Sequence, residues 1–237
     1  MVSVRPFKGF LAKKDMVAKI ISPAYDTLNT EEARAEAEGN PSSFLNVNKP
    51  EITLAKDVDP YDKSVYLAGR DNLKHFIEKG WLVQDAEPTM YIYQQTMPGH
   101  SQRGIVGLAS IQDYETGRIK RHEFTLAKKE LDRTKLTDIQ NANIGPVFLT
   151  FHQNQENIKN KIDKIAEGES YGDVTCDDGV RHVLWRCSQD ESQYFEDEFA
   201  KVANLYIADG HHRTQAAFNV GKMRREKHLA DGHTLTG

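Results

Sequence analysis

In Leu205-Tyr206-Ile207-Ala208-Asp209-Gly210-His211-His212-Arg213-Thr214-Gln215-Ala216-Ala217 a short apolar run, Leu205 to Ala208, has the length and character of a buried strand. It breaks at Asp209-Gly210, where glycine permits a tight turn and a close approach of a ligand to the backbone. A helix is expected to open near Arg213, with Ala216, Ala217, Val220 and Met223 spaced to bury one face. A strand, a glycine turn and a helix start together form an anion-binding corner, because unpaired N–H groups and the helix dipole both point there. Two histidines, an arginine and an aspartate at that corner mark it as a candidate site. The ordinary alternative is that Asp209 caps a turn and Arg213 is a solvated first-turn residue.

The chain around this corner has 237 residues, enough for a proper core. A hydrophobic content of 38% and a charged content of 28% describe a globular protein, which we expect to be cytoplasmic. The net charge of -4 argues against a general electrostatic grip on nucleic acid. No apolar run approaches membrane-spanning length, and Met1-Val2-Ser3-Val4-Arg5-Pro6 has no signal-peptide core. The two cysteines, Cys176 and Cys187, flank a hairpin expected to turn at Asp178-Gly179. With a two-residue loop Cys176 faces Arg181, which leaves Cys187 too far along for a cross-strand disulfide.

In chain order, Val17 to Ile21 reads as a strand leading into the loop Ser22-Pro23-Ala24-Tyr25-Asp26. That loop can reach a site, although Asp26 also suits a cap of the local turn. Thr30-Glu31-Glu32-Ala33 opens a short helix that stops at Gly39, and Phe44 to Val47 reads as extended. Residues 62–79 have the spacing of an amphipathic helix. The strands expected at Thr89–Gln95, Gly104–Ile111 and Ile119–Phe124 would form an antiparallel meander. Helices are expected at Lys128–Asn141, Glu156–Ala166 and Glu191–Val202, with a strand at Val147–Phe151. Meanders mixed with strand-to-helix units give the α+β class: a mixed or antiparallel sheet with flanking helices, here as a single domain over 1–237.

A second constellation lies in Ile119-Lys120-Arg121-His122-Glu123-Phe124-Thr125, followed by Lys129, Asp132 and Arg133. On a strand, Glu123 and Thr125 share one face with Arg121, while His122 faces away, so His122 and Glu123 would not share a metal unless the strand ends between them. Lys129 and Arg133 share a helix face. A carboxylate and a hydroxyl near two cations can hold a phosphoryl group and a general base; a surface ion-pair network is the alternative. The run Lys222-Met223-Arg224-Arg225-Glu226-Lys227-His228 reads as the solvated face of the last helix.

The stretches Ser22-Pro23-Ala24-Tyr25-Asp26, Asn40-Pro41-Ser42-Ser43-Phe44-Leu45, Gly117 to Glu123 with Lys129 and Asp132-Arg133, Gly145-Pro146-Val147-Phe148 and Ile207 to Arg213 resemble, in order, the domain-of-unknown-function 1015 family of bacteria and archaea. Leu126-Ala127 stands where charged or proline residues are more usual. The resemblance implies that this chain is the N-terminal portion of a longer architecture. The Asp209–Arg213 corner is also similar to that of the ParB/sulfiredoxin superfamily, and related proteins are called SpoOJ/ParB-like. That likeness implies a ParB/sulfiredoxin-like strand-turn-helix phosphate corner, as in free serine kinases that use ADP.

The leading expectation is therefore a protein that binds a nucleotide (ADP, ATP or CTP) or a phosphorylated small molecule and transfers or hydrolyses phosphate. Glu123, Asp209 and His211 are the expected catalytic residues. Gly210, His212, Arg213, Lys129, Arg133 and Thr125 are expected to bind phosphate, with Asp209 on Mg²⁺. No Walker-type glycine loop is present, which excludes a P-loop enzyme. A non-catalytic ParB-like nucleotide-sensing or DNA-associated module is the alternative. A metal-dependent hydrolase using His122, His211 and His212 would need all three to converge in space.

Overall fold

The computed structural model describes residues 1–152 and 156–234. In chain order the elements begin with strands β1 (Val4–Arg5) and β2 (Phe10–Ala12) and helices α1 (Val17–Ile20), α2 (Thr30–Glu36), α3 (Leu45–Asn48) and α4 (Lys63–Glu78). Then come β3 (Leu82–Gln84), β4 (Tyr91–Met97), β5 (His100–Val106), β6 (Leu108–Ala109), α5 (Ile111–Glu115), β7 (Ile119–Lys120) and α6 (Ala127–Gln140). The rest is β8 (Phe148–Thr150), α7 (Glu156–Ala166), β9 (Gly172–Thr175), β10 (Arg181–Arg186), α8 (Gln189–Phe199), β11 (Leu205–Asp209) and α9 (His211–Ala230). The protein is α+β, with small, mainly antiparallel sheets. No helix among the described residues is long and apolar enough to cross a membrane.

The chain divides into two compact units, each assembled from three separate segments. The first comprises Met1–Ile21, Ile77–Ser110 and Phe151–Asn204. Its main sheet has the order β5-β4-β10-β9, antiparallel throughout. Met90, Ile92, Val183 and Trp185 are buried there with Phe195 of α8. Where α8 meets the sheet, the buried Ser192 hydroxyl accepts from Met90 N–H at 3.1 Å and donates to Ser188 C=O at 2.9 Å. A polar group this deep is tolerated because both its hydrogen-bonding capacities are used.

The second unit comprises Ser22–Phe76, Ile111–Thr150 and Leu205–Gly237. Its sheet has β11 at the centre, parallel to β7 and antiparallel to β8. Leu205 and Ile207 are buried while Asp209 is exposed at the end of β11, so the strand delivers polar groups to its C-terminal edge. Helix α6 packs along α9. Arg224 of α9 bonds Asp138 and Asn141 of the α6 end, and Arg225 reaches Gln112 and Glu115. The basic run of α9 is thus partly occupied by neighbours within the unit rather than wholly solvated.

Several local expectations are corrected. Val17–Ile20 is a helix, not a strand: Ile21 N–H bonds Val17 C=O, and the Val17 side chain lies against the distant Gly172 while Ile20 is buried. Residues 45–48 are likewise helical. Asn40 accepts from Ser42 and Ser43 N–H groups and sets up a turn that continues into α3. The burial of Leu45 and Val47 imitates strand alternation. The 176–187 hairpin has Thr175 opposite Arg181, one residue away from the expected register. Cys176 N–H bonds Val180 C=O, and Gly179, at φ 80°, closes a three-residue loop. Both cysteines are free thiols.

The third meander strand is also different. Only Ile119–Lys120 is a strand, and it pairs in parallel with β11 instead of joining β4 and β5. Ile119 is buried, whereas residues 121–124 are exposed, so nothing beyond Lys120 has a sheet face to bury.

Candidate functional site

Strand β11 ends at Asp209 and α9 starts at His211, two residues earlier than the spacing suggests. Gly210 makes the corner at φ 92° and ψ 34°, and no side chain caps the helix. Thr214 turns inward, its N–H and hydroxyl bonding Gly210 C=O at 2.8 and 3.0 Å. The earlier N–H groups of the helix are left at the corner, where the dipole is positive.

The 121–126 segment comes to this first turn. Glu123 Oε2 lies 3.5 Å from His211 Nδ1. His122 packs edge-on against His211, with ring centroids 4.5 Å apart, and its Nε2 is 3.9 Å from Glu123 Oε1. Because β7 ends at Lys120, His122 and Glu123 need not point to opposite sides. His211 is only 6% exposed, and its Nε2 has no hydrogen-bond partner. Glu123 is 63% exposed, so a ligand can reach its carboxylate.

His212 has a different task. Its Nε2 accepts from Leu126 N–H at 3.0 Å, satisfying a donor at the residue that precedes α6. The acceptor role places the proton of a neutral ring on Nδ1. With His212 engaged in this way, the three histidines do not form a metal site. Among the described residues no group of three or more His, Cys, Asp or Glu is placed to hold a metal ion.

Thr125 donates to Glu130 Oε2 at 2.7 Å, and Asn219 of α9 donates to Glu130 Oε1 at 2.8 Å. Glu130, absent from the sequence-derived set, therefore ties the loop to α6 and α9. The Thr125 hydroxyl and then the Asn219 amide hold its carboxyl below its ordinary value near 4.5. A depressed carboxyl contributes stability above its unfolded value that is lost as pH falls through the folded one. Glu130→Gln is expected to cost about 1 kcal/mol at pH 7, since a carboxylate that accepts from both neighbours is replaced by a neutral amide whose hydrogen bonds to them are weaker. The gap from the parent should close below about pH 4. Urea unfolding of both proteins from pH 3 to 7 measures this, and a gap unchanged across that range would refute it.

Arg213 lies on the other side of the α9 turn from His211, two residues being about 200° of helix. Its Nη2 donates to Asp209 at 2.5 Å and its Nη1 to Pro146 C=O at 2.6 Å. Gly145 and Gly210 both lie so close that a β-carbon on them would sit 3.1 and 3.2 Å, respectively, from the nearest Arg213 atom. Arg133 donates to Asp132 through Nε and Nη2 at 2.8 and 2.7 Å, and Asp132 also accepts from Tyr66 at 3.0 Å. The Tyr25 ring stacks on Arg133, 4.7 Å from centroid to guanidinium carbon. Burial raises the Tyr25 phenol, against the opposing pull of Arg133 and Arg213. Arg133, Arg213, Tyr25, Asn48, Thr137 and Asn143 line one cleft. Lys129 is exposed on α6.

The loop cluster thus adjoins the corner through Glu123 and His212, and the α6 cluster adjoins it through Arg133. The fold and these contacts define an α+β protein with a strand–glycine–helix corner buttressed by a second helix and the loop before it. The chain belongs to the family described as "Protein of unknown function (DUF1015)", whose model matches residues 4–236. Neither the curated proteins nor the solved structures contain a match.

Proposed function

We propose that this is a cytoplasmic enzyme that binds a nucleotide or another phosphorylated small molecule and transfers or hydrolyses its phosphate. The observation that carries the reading is the approach of Glu123 to His211 at the uncapped start of α9. Glu123 takes the proton from an acceptor hydroxyl or water as its oxygen bonds to phosphorus, and the bond to the leaving oxygen breaks. His211 orients that carboxylate through Nδ1. Gly210 brings the backbone close to the phosphate, while Arg213, Arg133 and Lys129 offset its charge. His212 and Thr125 act by holding the loop, through Leu126 and Glu130.

Asp209 supplies a single carboxylate and shares it with Arg213. Such a donor set fits Mg²⁺ only if the ligand's own phosphate oxygens complete its shell. When bound, Mg²⁺ would neutralise charge between adjacent phosphates. A ParB/sulfiredoxin-like corner, which the Asp209–Arg213 motif resembles in sequence, would bind phosphate at this same place.

The test is thermal unfolding with ADP, ATP, CTP and pyrophosphate, each with and without Mg²⁺. A ligand at a hundredfold excess over its Kd should stabilise the protein by about 2.7 kcal/mol. That corresponds to roughly 5–10 °C for a chain of this size. The shift should vanish in Arg213→Ala. Silence with every ligand would overturn the reading, and binding with no phosphate release would leave a nucleotide-sensing module instead of an enzyme.

A further inference from the structure

Of the ten phenylalanines three are exposed: Phe10 of β2 in the first unit, and Phe124 and Phe148 in the second. The last two both border the corner between β11 and α9. Phe148 of β8 is the cross-strand partner of Asp209, so it flanks the carboxylate at the end of β11. Phe124 follows Glu123 in the loop before α6, and at 94% exposure it is the most exposed large apolar side chain among the described residues. A single exposed apolar residue is ordinary on a protein surface. Two aromatic rings at one candidate site are not scattered in that way. Covering a phenylalanine is favourable, and a loose loop could fold this ring down against the surface. The loop is held instead: Glu123 faces His211 at 3.5 Å, Thr125 donates to Glu130, and Leu126 N–H donates to His212. The residues on both sides of Phe124 are thus tied to α6 or α9, and the ring is presented to solvent beside the site.

We propose that Phe124 is the base platform of this site: the ligand is a nucleoside di- or triphosphate whose phosphates lie at the start of α9 and whose base stacks on the Phe124 ring. The inference rests on phosphate binding at the corner, as proposed above, and narrows the ligand from any phosphorylated small molecule to one that carries an aromatic base. A ribose separates the base from the phosphates, so the stacking ring has to stand beyond the groups that hold phosphate and not among them. Phe124 stands one residue beyond Glu123. Stacking uses the π-face that every base has, so the ring accepts purine and pyrimidine nucleotides alike.

The test is calorimetric titration of the full chain with ADP and with pyrophosphate, both with Mg²⁺ at pH 7. Pyrophosphate carries at least the charge of the two phosphates of ADP, so any extra affinity for ADP belongs to the nucleoside. ADP should bind about 5- to 150-fold more tightly than pyrophosphate, the range for one base on one aromatic ring. Phe124→Ala should remove that margin and leave pyrophosphate unchanged, and its unfolding without ligand should match the parent because the ring covers nothing. Phe124→Trp should keep the margin, and the emission of the indole it introduces should be quenched by ADP but not by pyrophosphate. Pyrophosphate binding with ADP no tighter, an ADP affinity unmoved in Phe124→Ala, or an equal loss for both ligands in that variant overturns the stacking and leaves the phosphate corner standing. Silence with both ligands overturns the corner and the platform together.

Discussion

Glu123→Gln is expected to lower the rate of phosphate transfer or release by about 10²- to 10⁴-fold, the contribution of a positioned general base. Binding of the phosphorylated ligand should change little, because the substitution keeps the shape of the side chain and removes only its capacity to take a proton. Stability should also be nearly unchanged: Glu123 is exposed, and its contact with His211 spans 3.5 Å. Rate and ligand affinity measured side by side decide the matter. A fall in affinity with an unchanged maximal rate would assign Glu123 to binding, and no effect on either would remove it from the site.

Gly210→Ala is the substitution with the largest expected effect on the corner itself. Two costs combine at this position. The backbone at φ 92° lies in the left-handed region that L side chains rarely adopt. An added β-carbon would also sit 3.1 Å from Val147 Cγ1 and 3.2 and 3.3 Å from Arg213 Nε and Cζ. Together they should destabilise the protein by about 1–3 kcal/mol. The displaced Arg213 should abolish the thermal response to nucleotide or pyrophosphate. Gly39→Ala provides the control: Gly39 has φ 72° but nothing within 4 Å of the new carbon, so it should show the backbone cost alone. Equal losses in the two variants, with ligand response intact, would mean that Arg213 is not held by this contact.

The corner was legible because its signals are local. An apolar run, an Asp-Gly break and spaced alanines report a strand, a turn and a helix within thirteen residues. The boundary of α9 moved by two residues because the positive φ of Gly210 already admits the helical turn. Helices α4 and α6 are likewise found within two residues of their periodic patterns. The 121–126 segment was not legible. Polar residues in alternation carry no burial signal, and Phe124, which reads as a strand residue, is 94% exposed. What holds this loop is a set of contacts to His211, His212 and Glu130, two of them nearly ninety residues away.

Tyr25 and Asn48 illustrate the same limit from the other side. No spacing rule connects them with Arg133 and Arg213, yet all four line one cleft, because α3, α6 and α9 converge in the second unit. Glu130 had no motif to mark it, and its part follows only from where Thr125 and Asn219 lie.

By itself the sequence determined the α+β class, the positions of most long elements, and the strand–glycine–helix corner, since these depend on periodicity and backbone preference over a few residues. The tertiary structure decided that β7 lies parallel to β11, that the chain forms two units from interleaved segments, and which side chains meet at the corner. Those outcomes depend on which distant surfaces bury one another, and local propensity carries no record of a partner a hundred residues away.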